Sequence, residues 1–121
     1  MNKSIYFNIK KFHKIVTCGF FTSRGGISKG NFYSLNCSKN SKDNKINVSR
    51  NIKIALKSLN IHKKKIKLIN QNHSNKTYII DKNNFNKELH GDGLITKNKN
   101  IALGVLTADC APIFLFDNKK R

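Results

Sequence analysis

The chain has few acidic residues, little arginine and no tryptophan. Six Asp and Glu stand against 24 Lys and Arg in 121 residues, which gives a net charge of +18. Three of these cations, Arg24, Arg50 and Arg121, are arginines, so guanidinium groups that bind phosphate or guanine in a bidentate way are scarce. The lysines are spread along the whole chain, which favours a compositional bias over a dedicated nucleic-acid surface. We therefore expect weak, salt-sensitive binding to polyanions and no specific nucleic-acid partner.

The sequence also lacks the features of secreted and membrane proteins. Its three cysteines, Cys18, Cys37 and Cys110, cannot all pair within one chain and have no disulfide spacing. No stretch approaches the roughly 20 apolar residues that cross a bilayer, and no apolar run of a signal peptide follows Met1. We expect reduced thiols, a cytoplasmic location, no membrane association and a monomer.

Apolar residues occur in short groups that predict a mixed α and β fold. The groups of strand length are residues 16–22, 66–70, 77–80 and 101–116, the last of them interrupted at 108–112 so that two strands flank this interruption. Four further apolar residues recur at helical spacing: Val48, Ile52, Leu56 and Leu59. This spacing predicts one helix with a buried face, which ends at Asn60. A chain of this length is one domain, or part of one.

Two polar turns carry the chemistry that points to a site. Cys110 follows the apolar residues 101–106, and His73 follows another strand-length group within Gln71-Asn72-His73. A thiol and an imidazole at strand ends can converge as metal ligands, or as nucleophile and base. Asp109 would be costly to bury unpaired, which favours a site over a simple core position for its neighbour Cys110. Gln71 and His73 are two residues apart, so their side chains lie on the same side of an extended chain. One of them can then bind a metal or act as a base while the other orients it.

A glycine-rich loop over residues 23–30 is the second candidate site. Gly25 and Gly26 allow backbone amides to approach a ligand closely, although the Gly-Lys-Ser/Thr ending of a P-loop is absent. Arg24 either clamps a phosphate or carboxylate, or caps a turn. Asn36 either binds the ligand or closes its own turn.

Five segments, in this order, resemble the laccase-domain family. They are residues 18–30 (CGFFTSRGGISKG), 34–36 (SLN), 71–73 (QNH), 92–96 (DGLIT) and 106–112 (LTADCAP). The family was first labelled polyphenol oxidase and is now regarded as purine nucleoside phosphorylase. The resemblance extends over about residues 19–117, and its most specific part is the Thr-Ala-Asp-Cys segment together with the upstream Gln-x-His.

The resemblance implies a zinc site of two histidines and one cysteine, with His73 and Cys110 as two of its ligands and as catalytic residues. The family's last histidine lies in a His-Ala-Gly-Trp-Arg-Gly segment that this sequence lacks. We therefore expect residues 1–121 to be a single domain without its C-terminal half, with sheet layers flanked by helices. The chain would be either a fragment or an inactive natural truncation.

The activity implied by the resemblance is phosphorolysis of adenosine, inosine and S-methyl-5'-thioadenosine, which gives ribose 1-phosphate and the free base, with adenosine deamination as a further activity. Purine nucleosides and phosphate are then the partners. The expected substrate-binding residues are Arg24, Gly25, Gly26, Asn36, Gln71 and Asp109.

Three other functions remain open from the sequence. A phenol oxidase would use copper in place of zinc, because imidazole and thiolate also suit copper. A thiol hydrolase would use Cys110 and His73 without a metal. A basic nucleic-acid-binding module would have no catalytic residues, and its affinity would persist at moderate salt.

Overall fold

The computed structural model describes residues 6–8, 15–117 and 119. The chain divides into two compact units, Met1–His62 and Lys63–Arg121. The first unit holds strands β1 (Tyr6–Asn8) and β2 (Gly19–Phe21) and helix α1 (Lys45–Ser58). The second holds strands β3 (Lys65–Lys67), β4 (Thr77–Ile79), β5 (Gly93–Ile95) and β6 (Ile101–Leu103). The predicted mixed α and β class is confirmed, while one domain over residues 1–121 stays a prediction.

Helix α1 begins and ends where its sequence provides caps. The Asn44 side chain accepts hydrogen bonds from the N–H groups of Ile46 (2.8 Å) and Asn47 (3.4 Å), and such a cap contributes about 1 kcal/mol. At the other end Asn60 has a positive φ of 60°. The N–H of Ile61 then bonds the carbonyl of Leu56 at 2.9 Å, which is the Schellman arrangement. The predicted helix and its end at Asn60 are confirmed.

The core of the first unit lies along one face of α1. The helix buries Val48, Ile52 and Leu56, three of the four residues predicted from the spacing, and Cys18 and Leu35 are also buried. Burying each large aliphatic side chain contributes about 1.5–3 kcal/mol.

An antiparallel strand pair is hydrogen-bonded to the C-terminal end of α1 in the same unit. Strands β1 and β2 pair with Tyr6 opposite Phe21, and these two rings stack with centroids 5.1 Å apart. The Tyr6 hydroxyl donates to the carbonyl of Ser58 at 3.0 Å. Carbonyls of the last helical turn have no partner further along the helix, and this bond supplies one to Ser58.

The second unit contains two parallel strand pairs. Strand β3 pairs with β6, with Lys65 opposite Ile101, and β4 pairs with β5, with Thr77 opposite Gly93. Parallel strands present their carboxyl ends at the same edge. The residues after β3 and the residues after β6 therefore emerge side by side. Strand β5 was missed from the sequence, because a three-residue strand that begins with glycine has too little apolar pattern to recognise.

The predicted strand after Pro112 is wrong. The described residues 111–117 form no strand, and Ile113 and Leu115 are 76% and 93% exposed. An apolar run becomes a strand only when a neighbouring strand completes its hydrogen-bond ladder, and no described strand pairs with this segment. In the described part of the chain, no helix is both long and apolar enough to cross a membrane.

We expect truncation of a buried and of an exposed aliphatic side chain in the second unit to change the free energy of unfolding by very different amounts. Ile80 is 1% exposed, so Ile80→Ala should lower the free energy of unfolding by about 2–5 kcal/mol. Leu115→Ala should change it by less than about 0.5 kcal/mol. Urea unfolding followed by circular dichroism measures both, and a loss at Leu115 as large as that at Ile80 would show that residues 111–117 are packed in solution.

Candidate functional site

The Gln71 side chain binds the backbone next to the segment that carries Cys110. Its Nε2 donates to the carbonyl of Leu106, and its Oε1 accepts from the N–H of Leu106, both at 2.7 Å. The amide thus makes the two bonds that a neighbouring strand would make, beyond the ends of β3 and β6. The turn that contains His73 and the segment that leads to Cys110 are consequently held side by side.

The turn that carries His73 is held by the carboxylate of Asp92. This carboxylate accepts from the N–H groups of Asn72 (3.3 Å), His73 (3.2 Å) and Ser74 (2.7 Å), and from the Ser74 hydroxyl (3.0 Å). His73 has a positive φ of 57°, an uncommon conformation for a residue other than glycine. The four hydrogen bonds to one carboxylate hold the backbone of this turn in that conformation.

Backbone bonds on both sides of the turn place Asp92 under it. The N–H of Gly91 bonds the carbonyl of Asn70 at 3.0 Å, and the N–H of Asp92 bonds the carbonyl of Lys76 at 3.0 Å. The N–H of Ser74, followed by its hydroxyl and the N–H groups of Asn72 and His73, holds the pKa of Asp92 below its ordinary value. The residue is therefore an acceptor-only carboxylate at neutral pH.

His73, Asp109 and Cys110 are all exposed, so each is accessible to a ligand. Cys110 is not the buried, packed thiol that a lone cysteine usually is. Imidazole and thiolate are ligands that suit zinc. Across residues 6–8, 15–117 and 119, however, no group of three or more His, Cys, Asp or Glu side chains is arranged to hold a metal ion. The donor chemistry fits zinc, but the described residues do not complete a three-ligand site.

The glycine-rich loop of the first unit is fixed by hydrogen bonds inside that unit. The N–H of Gly26 donates to the Ser34 hydroxyl at 3.1 Å, and the N–H of Ile27 donates to Asn51 Oδ1 at 2.9 Å. A Cβ on Gly26 would lie 2.2 Å from the carbonyl oxygen of Ser34 and 2.6 Å from Asn51 Oδ1, so this close approach requires glycine. Gly25 has a positive φ of 95°, and the Arg24 side chain next to it is exposed.

Asn51 is the centre of a buried polar network behind this loop. It is 0% exposed, and its Nδ2 donates to the Ser28 hydroxyl and to the carbonyl of Asn36, both at 2.8 Å. The Ser28 hydroxyl donates to Asp43 Oδ2 at 2.6 Å. The Ser28 hydroxyl, ahead of the Asn36 side chain, the N–H of Asn44 and the charge of Lys45, lowers the pKa of Asp43. The network joins α1 to the loop and to the turn at Asn36.

The Asn36 side chain itself is engaged within the first unit. Its Nδ2 donates to the Ser41 hydroxyl at 2.9 Å and to Asp43 Oδ2 at 3.0 Å, and its Oδ1 accepts from the N–H of Ser38 at 3.1 Å. This is the turn-closing role that the sequence left open as an alternative to ligand binding.

Sequence reasoning overlooked Asp92 and Asn51 as functional positions. Asp92 was visible as part of a motif, yet nothing in the sequence links it to residues 72–74. Asn51 stands three residues after Val48, on the apolar face of the helix. A polar residue on that face is the signal that indicates a buried hydrogen-bonding role.

Comparison with known proteins places the chain in a family. Residues 17–121 match the family model described as multi-copper polyphenol oxidoreductase laccase. The purine nucleoside phosphorylase YlmD of Bacillus subtilis is 30% identical over 116 residues, which cover 89% of this chain and 42% of YlmD. A purine nucleoside phosphorylase of Campylobacter jejuni is 54% identical over 48 residues, 40% of this chain and 20% of the relative. The chain spans less than half the length of these relatives.

Solved structures show the same fold. The Bacillus licheniformis hypothetical protein YfiH matches with a TM-score of 0.76 and 27% identity, over 90% of this chain and 43% of that protein. A Neisseria meningitidis protein matches with a TM-score of 0.69 and 24% identity over the same shares. The observed elements are therefore part of a larger mixed α and β fold.

We expect Asn51→Ala to destabilise the first unit. The substitution leaves the N–H of Ile27 and the carbonyl of Asn36 without their partner, which should lower the free energy of unfolding by about 2–4 kcal/mol. Lys53→Ala, at an exposed position of the same helix, is the control and should change it by less than about 0.5 kcal/mol. Equal urea midpoints for the two variants would show that the network does not hold the loop.

The lowered pKa of Asp92 predicts a pH dependence. Because the folded-state pKa lies below the unfolded one, the unfolded chain binds more protons in acid. The stabilisation is present above the unfolded pKa of about 4 and is lost as the pH falls through the folded pKa. Urea midpoints measured from about pH 6 to pH 2 should fall more steeply for the wild type than for Asp92→Asn. Parallel profiles would contradict the role assigned to this carboxylate.

Proposed function

Because the chain belongs to the multi-copper polyphenol oxidoreductase laccase family, we propose that it forms part of a purine nucleoside phosphorylase. The observation that carries this proposal is the paired hydrogen bond between Gln71 and Leu106, at 2.7 Å in each direction. It joins the turn of His73 to the segment of Cys110, and it leaves both side chains exposed. The relatives from Bacillus subtilis and Campylobacter jejuni are named purine nucleoside phosphorylases.

The proposed reaction transfers the ribose of a purine nucleoside to phosphate. A phosphate oxygen forms a bond to C1' as the bond from C1' to the purine N9 breaks, and the base leaves with the bonding pair and takes up a proton. Arg24 is the proposed cation for phosphate oxygens, because its guanidinium matches them in a bidentate way. Asp109 and Gln71 are proposed to contact the nucleoside, whose hydroxyls and purine nitrogens suit a carboxylate and an amide. Adenosine deamination is proposed as an additional activity.

Zinc is the proposed metal, held by His73 and Cys110. The described residues contain no group of three His, Cys, Asp or Glu side chains that could hold a metal ion. The third ligand is therefore proposed to lie in a segment that corresponds to the part of the relatives this chain does not span. Asp92 keeps the backbone of His73 in place and so orients a ligand without touching the metal. When bound, the ion supplies a Lewis acid beside the substrate.

Base release from inosine tests the proposal. The assay is run with and without phosphate, on the chain alone and on the chain mixed with the part of YlmD that it does not span. We expect release that requires phosphate and that falls about 100-fold or more in His73→Ala and in Cys110→Ala.

A second thiol provides a matched control for Cys110. Burial raises the pKa of Cys37 to about 11, so this thiol is protonated and should be inert. Cys37→Ala should retain the activity. Release that needs no phosphate, turnover unchanged in Cys110→Ala, or oxidation of catechol with added copper as the main activity would each overturn the phosphorylase.

A further inference from the structure

The second unit contains a lysine-rich pocket that no part of the proposed function uses. It is an open concavity with a volume of about 540 Å³, a size that accommodates a small ligand. Four lysines line it: Lys63, Lys64, Lys65 and Lys82. None of the described residues that line it is Asp or Glu. Four of the nine lining residues are therefore basic, and none of them is acidic.

The lysine-rich pocket and the candidate site lie at opposite ends of the same strand pair. Lys65 and Ile101 line the pocket and are the first residues of β3 and β6, opposite each other in the parallel register. Gln71 and Leu106 follow the last residues of these two strands. Because the strands are parallel, one edge of the pair carries the pocket and the other edge carries the turn of His73. The lysine-rich pocket is therefore separated from the turn of His73 by the length of the β3–β6 pair.

Hydrogen bonds fix the backbone around the pocket. The N–H of Lys65 donates to the carbonyl of Asn100 at 3.3 Å. The buried Lys67, 6% exposed, donates from Nζ to the carbonyls of Phe85 at 2.7 Å and Lys87 at 2.6 Å. Phe85, another lining residue, is thereby held against β3. The bonds of Lys67 thus fix the backbone that carries one aromatic residue of the pocket lining.

Lysine is more frequent in the lining of this pocket than in the chain as a whole. Lysine makes up 21 of the 121 residues of the chain, but four of the nine residues that line the pocket. The second unit also contains five of the six acidic residues of the chain, at positions 81, 88, 92, 109 and 117, and each of them lies outside the lining. Charge of one sign is thus concentrated where the chain forms a concave surface, which strengthens the local potential.

We infer that the lysine-rich pocket binds a small polyphosphate, such as the phosphate chain of a nucleoside triphosphate. Lysine ammonium groups bind phosphate as point charges and need no fixed fork geometry. Four of them match the roughly four negative charges of a triphosphate group. Phe85 and Ile101 offer apolar surface against which a base can pack. This ligand is distinct from the nucleoside and single phosphate of the proposed reaction.

Calorimetric titration of the whole chain with ATP, adenosine and inorganic tripolyphosphate tests the inference. In about 0.1 M KCl we expect ATP and tripolyphosphate to bind and adenosine not to bind. Lys64→Gln combined with Lys82→Gln should weaken ATP binding about tenfold. Lys53→Gln combined with Lys57→Gln removes the same charge from exposed positions of α1 and should change it by less than about twofold.

Tighter binding of ATP than of tripolyphosphate would support a contact with the base, and equal binding would support the phosphate chain as the whole ligand. Equal weakening by the two double variants would overturn the inference, because net charge alone would then explain binding. So would absent binding of both ligands, or a single-stranded uridine oligonucleotide that binds more tightly than ATP and depends on Lys64 and Lys82. The readout is binding, so the result does not depend on whether the chain is a phosphorylase.

Discussion

Strands of three residues leave most of the backbone without a ladder partner, and this constraint governs both units. Polar side chains pair some of the N–H and C=O groups that these short strands do not. Asn51 does this for the glycine-rich loop, Gln71 for the backbone at Leu106, and Asp92 for three consecutive N–H groups. Each of these side chains joins segments that are far apart in sequence. Elements this short are positioned by such links as much as by apolar burial.

The same links give the candidate site its form. An amide and a carboxylate that satisfy backbone groups also set the direction of the neighbouring turn, and the reactive side chains of that turn remain exposed. The turn of His73 and the segment that leads to Cys110 are thus held by side-chain bonds of Gln71 and Asp92 to the backbone. In the proposed enzyme, such residues would preorganise the site while the reactive groups stay accessible.

Different types of side chain lie at the two ends of the parallel β3–β6 pair. Its carboxyl end leads to imidazole, thiol and carboxylate side chains, and its amino end is surrounded by lysines. The apolar residues 113–116 beyond Pro112 are exposed, in a chain that spans less than half the length of its curated relatives.

The sequence alone determined α1, because its apolar spacing, its Asn44 cap and its left-handed Asn60 are all local features. It also indicated β2, β3, β4 and β6 and the family, and it supplied His73 and Cys110 as candidate site residues. The tertiary structure decided that Asp92 lies under the turn of His73, that Asn51 supports the glycine-rich loop, and that residues 111–117 form no strand. Those outcomes depend on which distant segments meet, since a hydrogen bond or a strand ladder needs a partner that the local sequence does not contain.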